Sequence, residues 1–179
     1  MSVQLDIQLA DDLPDSIEEP PPSNLFSAWA QAAWQGELGD NPVVSLRIIS
    51  CAESQQLNSD YRGKNKPTNV LSFPMEMDLD FASLEEPDET LLMLGDLAIC
   101  AEVVEQEAQV QQKPLPAHWA HMLVHGMLHL QGYDHIADDE AQQMEQLEIK
   151  IMKQLGFSDP YQLNTPDPID VSVAEINHE

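Results

Sequence analysis

From Val3 the chain reads VQLDIQLA, apolar and polar residues alternating one by one, which is the period of a half-buried β-strand. Residues 11–24, DDLPDSIEEPPPSN, hold four prolines and stop any regular element. Ser23 or Asn24 then caps a helix reaching roughly Leu38, with Phe26, Trp29, Ala33 and Trp34 on one face. VVSLRIIS from Val43 is a β-branched strand, and AESQQLNSDYRG predicts a short helix closed by Gly63. NVLSFPM from Asn69 predicts another strand, placed at an edge or an end by Pro74. Residues 77–90 form an acidic loop. LLMLGDLAIC from Leu91 is a further strand in which Gly95 marks a bulge or a close backbone approach.

The second half is helical. AEVVEQEAQVQQ is amphipathic and KPLP ends it; a longer helix runs from about Pro116 to Leu130 and stops at Gly132. Asp138 or Asp139 caps a last helix whose Met144, Leu147, Ile151 and Leu155 recur at three- and four-residue steps. Strands and helices mix without regular βαβ alternation, so the expected class is α+β, with a small mixed sheet of about four strands packed with five or so helices. A single domain is expected over residues 1–163, with residues 164–179 an acidic, disordered tail.

Composition narrows the setting. At 179 residues and 42% hydrophobic content the chain is long enough for one real core. No run of 18 or more apolar residues appears and the start lacks a basic leader, so neither a membrane span nor a signal peptide is expected, and the location expected is cytoplasmic. Cys51 and Cys100 have no metal-binding spacing and are expected as reduced, structural thiols. The net charge of −25 argues against broad attraction to nucleic acid. Yet Arg62, Lys64 and Lys66 fall within YRGKNK and are three of only seven Lys and Arg residues. That concentration makes the segment a candidate anion site, against the plainer reading of a solvated loop.

Five of the six histidines lie between positions 118 and 135: His118, His121, His125, His129 and His135. At about 100° per residue the first four share a stripe about 80° wide on one helix. Histidines four apart stand one turn from each other and can share an ion. His121/His125 and His125/His129 both qualify, but only the second pair has a plausible third ligand. Gly132 can take the left-handed conformation that ends a helix, letting His135 return to the same ion. Three neutral nitrogens leave a fourth tetrahedral position open, the plan of a catalytic zinc, with one Zn2+ per chain. His121 is the leading residue to support His125 from behind, Asp134 caps the turn or orients an imidazole, and His118 is expected at the surface.

The stretch HGMLHLQGYDH resembles the zinc-protease pattern H-E-x-x-H-x-x-G-x-x-H, except that Gly126 replaces the glutamate that serves as general base. With that carboxylate missing, a phosphodiester is a better substrate than an amide. Phosphoryl transfer chiefly needs compensation of charge on the non-bridging oxygens, and a fixed arginine supplies it. Arg62 is the candidate, expected at the edge of a cleft facing the histidine helix.

HGMLHLQGYDH, together with LNSDYRGKNKPTNVLSFP from Leu57 and LGDLAIC from Leu94, resembles the YbeY family of bacterial metal-dependent endoribonucleases over about residues 43–156. The resemblance implies an α+β fold with the metal in a cleft, and zinc on His125, His129 and His135. It also implies a catalytic arginine at Arg62. It further implies action on single-stranded RNA in 16S rRNA 3′-end maturation and ribosome quality control, with the small ribosomal subunit and an assembly GTPase as partners. DNA is not expected as a substrate; Lys64 and Lys66 are expected to contact RNA. Asn69 stands where many relatives are expected to have Asp, so no charged role is assigned to it. Two other readings are a zinc peptidase that recruits its base from elsewhere and a non-catalytic assembly factor with a structural metal.

Overall fold

The protein is described by a computed structural model over residues 3–36, 42–74, 92–133 and 137–161. Strand β1 (Gln4–Leu9) leads to helix α1 (Ser23–Ala33), β2 (Pro42–Ile49), α2 (Cys51–Arg62), β3 (Val70–Pro74) and β4 (Leu92–Cys100). Helices α3 (Ala101–Val110), α4 (Leu115–Leu130) and α5 (Asp138–Gln154) follow. This is the expected α+β class, with five helices and a four-stranded mixed sheet among the described residues. The acidic loop at 77–90 and the tail from Asn164 lie outside them. No helix of the described residues is long and apolar enough to cross a membrane.

The sheet order is β1-β2-β4-β3, parallel except where β3 runs antiparallel to β4. β3 is an edge strand, which is where Pro74 can be tolerated because no neighbour needs its missing N–H. The β2–β4 register slips between Val43 and Val44, skipping Leu94, and Gly95 there has φ +141°. The glycine therefore marks a bulge, as its position inside a strand suggested.

Two helix starts and one helix end differ from expectation. α1 begins on Ser23 behind Pro22, whose side chain makes no cap, and α1 stops at Ala33, where Trp34 turns extended. Asp138 opens α5 from inside its first turn, behind Ala137, instead of capping it. Asp138, Asp139 and Glu140 there still oppose the positive end of the helix dipole. Gly63, in contrast, does close α2 in the left-handed region, at φ +70°.

The main core lies between one face of the sheet and helices α1 and α4. Val44, Leu46 and Ile48 of β2, Leu97 and Ile99 of β4 and Val70 of β3 pack with Phe26, Trp29, Trp119, Leu123 and Met127. Phe26 meets Trp29 and Trp119 edge to face at centroid distances of 5.6 and 5.7 Å, so the tryptophans are core. The opposite face carries a smaller cluster of Ile49, Leu71, Ala98 and Cys100, partly covered by Leu57 of α2. Cys51 and Cys100 are free thiols with Sγ atoms 3.8 Å apart.

α4 is the central helix, packed by α1, α3, α5 and the β3–β4 edge of the sheet. It passes close to that edge at Gly126, where an added Cβ would lie 2.8 Å from Leu97 Cδ2 and 3.3 Å from Val70 Cγ2. Ser72 Oγ donates to the Gly126 carbonyl at 3.4 Å, tying the same turn to β3.

Candidate metal centre

α4 presents its imidazoles into the protein interior. Pro116 sits in its first turn, where a missing N–H is harmless. The far end closes with Gly132 N–H donating to His129 O and Tyr133 N–H to Leu128 O, and Gly132 has φ +97°. That pairing is a Schellman end, so the helix does close at Gly132. His135 and Asp134, expected on a return after it, lie outside the described residues.

His118 corrects an expectation. Instead of standing at the surface it is 0% exposed, its Nε2 2.8 Å from Oε1 of Glu107 on α3. The same carboxylate accepts from Asn69 Nδ2 at 3.2 and 3.3 Å, while Asn69 Oδ1 accepts from Val70 N at 2.7 Å. Asn69 thus acts through its amide, accepting with one end and donating with the other, which an ionised aspartate could not do.

The other imidazoles converge on Glu148 of α5. His121 Nε2 lies 3.0 Å and His125 Nδ1 2.9 Å from the same oxygen, Oε1. The Tyr161 hydroxyl donates to Oε2 at 2.6 Å, and its ring stands edge-on to His121 at 5.2 Å. Burial by itself would raise the Glu148 pKa, but the hydrogen bonds from His121 and His125 hold it well below the usual carboxylate range. Burial pushes His121 down to about 4, with Glu148 offsetting part of the shift. His121 is therefore neutral near pH 7, with its single N–H on Nε2 and its buried Nδ1 without a partner.

The consequence for His125 is a matter of tautomer. With its Nδ1–H given to a carboxylate, its Nε2 is the nitrogen left to accept a hydrogen bond or to ligate a metal. That atom lies 3.1 Å from His129 Nε2. Two nitrogen ligands of a tetrahedral zinc, each about 2.0–2.1 Å from the ion, stand roughly 3.3–3.4 Å apart. The pair fits such an ion with a shift of a few tenths of an ångström. His121, His125 and Glu148 also form a group whose ligand atoms lie within 4.8 Å of one another and could hold a metal. There, however, both carboxylate oxygens already accept hydrogen bonds from two imidazoles and the Tyr161 hydroxyl, and an ion would have to displace them.

Arg62 ends α2, exposed, with Lys64 and Lys66 exposed just beyond. Asn58 Nδ2 donates to Lys66 O at 2.8 Å, and Gln55 Nε2 to Asn65 Oδ1 at 2.9 Å, so this basic turn is anchored to its own helix. Tyr61, beside Arg62, meets Phe73 of β3 at 5.1 Å. Phe73 and Leu71 belong to the α2 face of β3, whereas Val70 and Ser72 meet α4. Arg62 and the imidazoles therefore ride on helices that flank the edge strand from opposite sides. A groove of about 500 Å³, lined by Asp6, Ser45, Arg47, Tyr61, Phe73 and Asp96, opens on the α2 side, away from the histidines.

Glu148 and Tyr161 were absent from the sequence reading. The signal for Glu148 was present: it follows Met144 by four residues and precedes Ile151 by three, a charge on the apolar stripe of its helix. Tyr161 lies beyond the last periodic element and had no such marker.

Among known proteins, the solution structure of TM1509 from Thermotoga maritima is similar at 23% identity, over 89% of this chain and 99% of that one, with a TM-score of 0.49. The family model described as Endoribonuclease YbeY matches residues 12–156, a span that includes the basic turn after α2 and all five histidines between positions 118 and 135. The chain belongs to the YbeY endoribonuclease family.

Proposed function

We propose that this protein is a zinc-dependent endoribonuclease of single-stranded RNA, acting in 16S rRNA 3′-end maturation and ribosome quality control. Its ligands are His125, His129 and His135, with one Zn2+ per chain. The observation that carries the metal reading is the approach of His125 Nε2 to His129 Nε2 at 3.1 Å while His125 Nδ1 is engaged by Glu148. Neutral imidazole nitrogens of this kind suit zinc among the common ions. Once bound, zinc supplies Lewis acidity, lowering the pKa of water and drawing charge from a phosphoryl oxygen.

The remaining work falls to the chain. Arg62 offers a guanidinium to the non-bridging oxygens, where its fixed fork offsets the charge that develops in phosphoryl transfer. Lys64 and Lys66 hold the neighbouring phosphates, a local exception on a chain of net charge −25. His121 and Asp134 support the imidazoles. Position 126 offers no general base, since a side chain there would meet Leu97 and Val70. That favours a phosphodiester over a peptide as substrate. The small ribosomal subunit and an assembly GTPase are the proposed partners and the cytoplasm the proposed location.

Metal analysis of the purified protein, beside cleavage of single-stranded RNA by wild type, His129→Ala and Arg62→Ala, tests the proposal. Both substitutions should abolish cleavage, and only His129→Ala should lose zinc. Cleavage that survives either one in nuclease-free preparations refutes the site. A 5′-phosphate on the product would identify water as the nucleophile, and a 2′,3′-cyclic phosphate the ribose 2′-hydroxyl.

A further inference from the structure

Glu148 is 0% exposed, yet its neighbours on the buried stripe of α5 are Met144, Ile151 and Met152. A carboxylate in such a place is costly unless each lone pair is used. Here Oε1 receives two imidazoles and Oε2 receives a tyrosine hydroxyl brought in from beyond the helix. The same segment is fastened a second time, by Lys113 Nζ donating to Pro160 O. A purely structural core position would be served as well by leucine or methionine. What leucine could not do is accept a hydrogen bond from His125 Nδ1.

We propose that Glu148, steadied by Tyr161, is a positioning residue that fixes His125 in the Nδ1–H tautomer and so makes Nε2 its ligand nitrogen. Without the carboxylate, His125 can carry its proton on Nε2. That N–H then donates towards His129 Nε2, 3.1 Å away, where the Nδ1–H tautomer can only accept, and the lone pair a metal needs is lost. Glu148 thus holds the site ready before any ion arrives, and the hydroxyl of Tyr161 stops the carboxylate from rotating away. The inference rests on the ligand assignment proposed above.

The experiment uses the full chain in metal-free form. Long-range proton–nitrogen spectra of the imidazoles report the His125 tautomer, and zinc affinity is then read by competition with a chromophoric chelator. Wild type should show Nδ1–H at His125 and bind one zinc. Glu148→Leu, which fills the volume but accepts no hydrogen bond, should populate the Nε2–H form and weaken zinc binding by roughly 10–100-fold. Glu148→Gln retains an accepting oxygen and should restore the wild-type tautomer with affinity within a few fold. Tyr161→Phe keeps the ring on His121 and should weaken zinc by roughly three- to tenfold, a result that stands even if the leucine variant does not fold.

A folded Glu148→Leu protein with the wild-type tautomer and affinity would overturn the positioning role, as would wild-type affinity in Tyr161→Phe should the leucine variant not fold. If Glu148→Leu and His121→Ala lose zinc while His129→Ala keeps it, Glu148 is itself a ligand and the proposal fails in that way. His129→Ala also separates the two readings: undiminished zinc binding there rejects the ligand assignment, whereas zinc lost there but kept in Glu148→Leu rejects only the role of Glu148.

Discussion

A Cβ placed on Gly126 would stand 2.8 Å from Cδ2 of Leu97, a residue 1% exposed in the core. In the sequence this glycine looked like a catalytic residue lost from a protease motif. In the fold it is a point where the histidine helix lies close against Leu97 and Val70 of the sheet. The position has a packing role that leaves no room for a carboxylate.

Restoring the protease motif by Gly126→Glu should therefore unfold the protein instead of creating a peptidase. Overpacking against Leu97 and an unpaired buried charge together cost on the order of 4 kcal/mol. Urea denaturation should show the midpoint falling sharply or no folded baseline at all; a stable variant that cleaves peptides would contradict this reading.

Removing the metal should lower thermal stability. Zinc at a hundred times its Kd stabilises the folded state by about 2.7 kcal/mol. A chelator should consequently lower Tm by several degrees in wild type and leave His129→Ala unmoved, as scanning calorimetry with and without chelator would reveal.

Acid should destabilise the metal-free protein early. The folded-state pKa of His121 lies near 4, below the ordinary value of 6.5, so between those pH values the unfolded chain binds the proton and the folded one does not. Stability is thus full above about 6.5 and is lost as pH falls towards 4, by on the order of 3 kcal/mol. Glu148, held below the carboxylate range, adds a loss of the same sign below its ordinary value of 4.5. Denaturation midpoints for His121→Gln should show a flatter decline between pH 6.5 and 4 than wild type.

The two thiols should be sluggish. Burial pushes Cys100 up to about 12 and raises Cys51 as well, which suppresses the reactive thiolate at neutral pH despite the 3.8 Å between their sulfurs. A chromogenic disulfide reagent at pH 8 should react slowly with the native protein and promptly with two thiols after denaturation. Fast stoichiometric labelling of the folded protein would count against this.

Where local rules govern, the chain was readable. Period-two alternation located β1 and β-branched residues located β2, the glycines at 63 and 132 ended their helices, and Gly95 marked the bulge. Caps were less legible: Pro22 and Ala137 precede α1 and α5 with no side-chain hydrogen bond, so the polar residues beside them were mistaken for the caps. His118 was misplaced because a lone helical histidine carries no sign of what faces it. Its partner Glu107 arrives from another helix, and only that pairing makes full burial affordable.

By itself the sequence determined the spacing of His125 and His129, because four residues make one turn of any helix, and the helix end at Gly132, because only glycine adopts φ +97° cheaply. Tertiary structure alone decided that Glu148 and Tyr161 meet the histidines and that Gly126 faces Leu97. It also decided that Arg62 rides on a helix across the edge strand from α4. Those relations join residues far apart in the chain, and packing of one element on another creates them; no periodicity within a single element contains them.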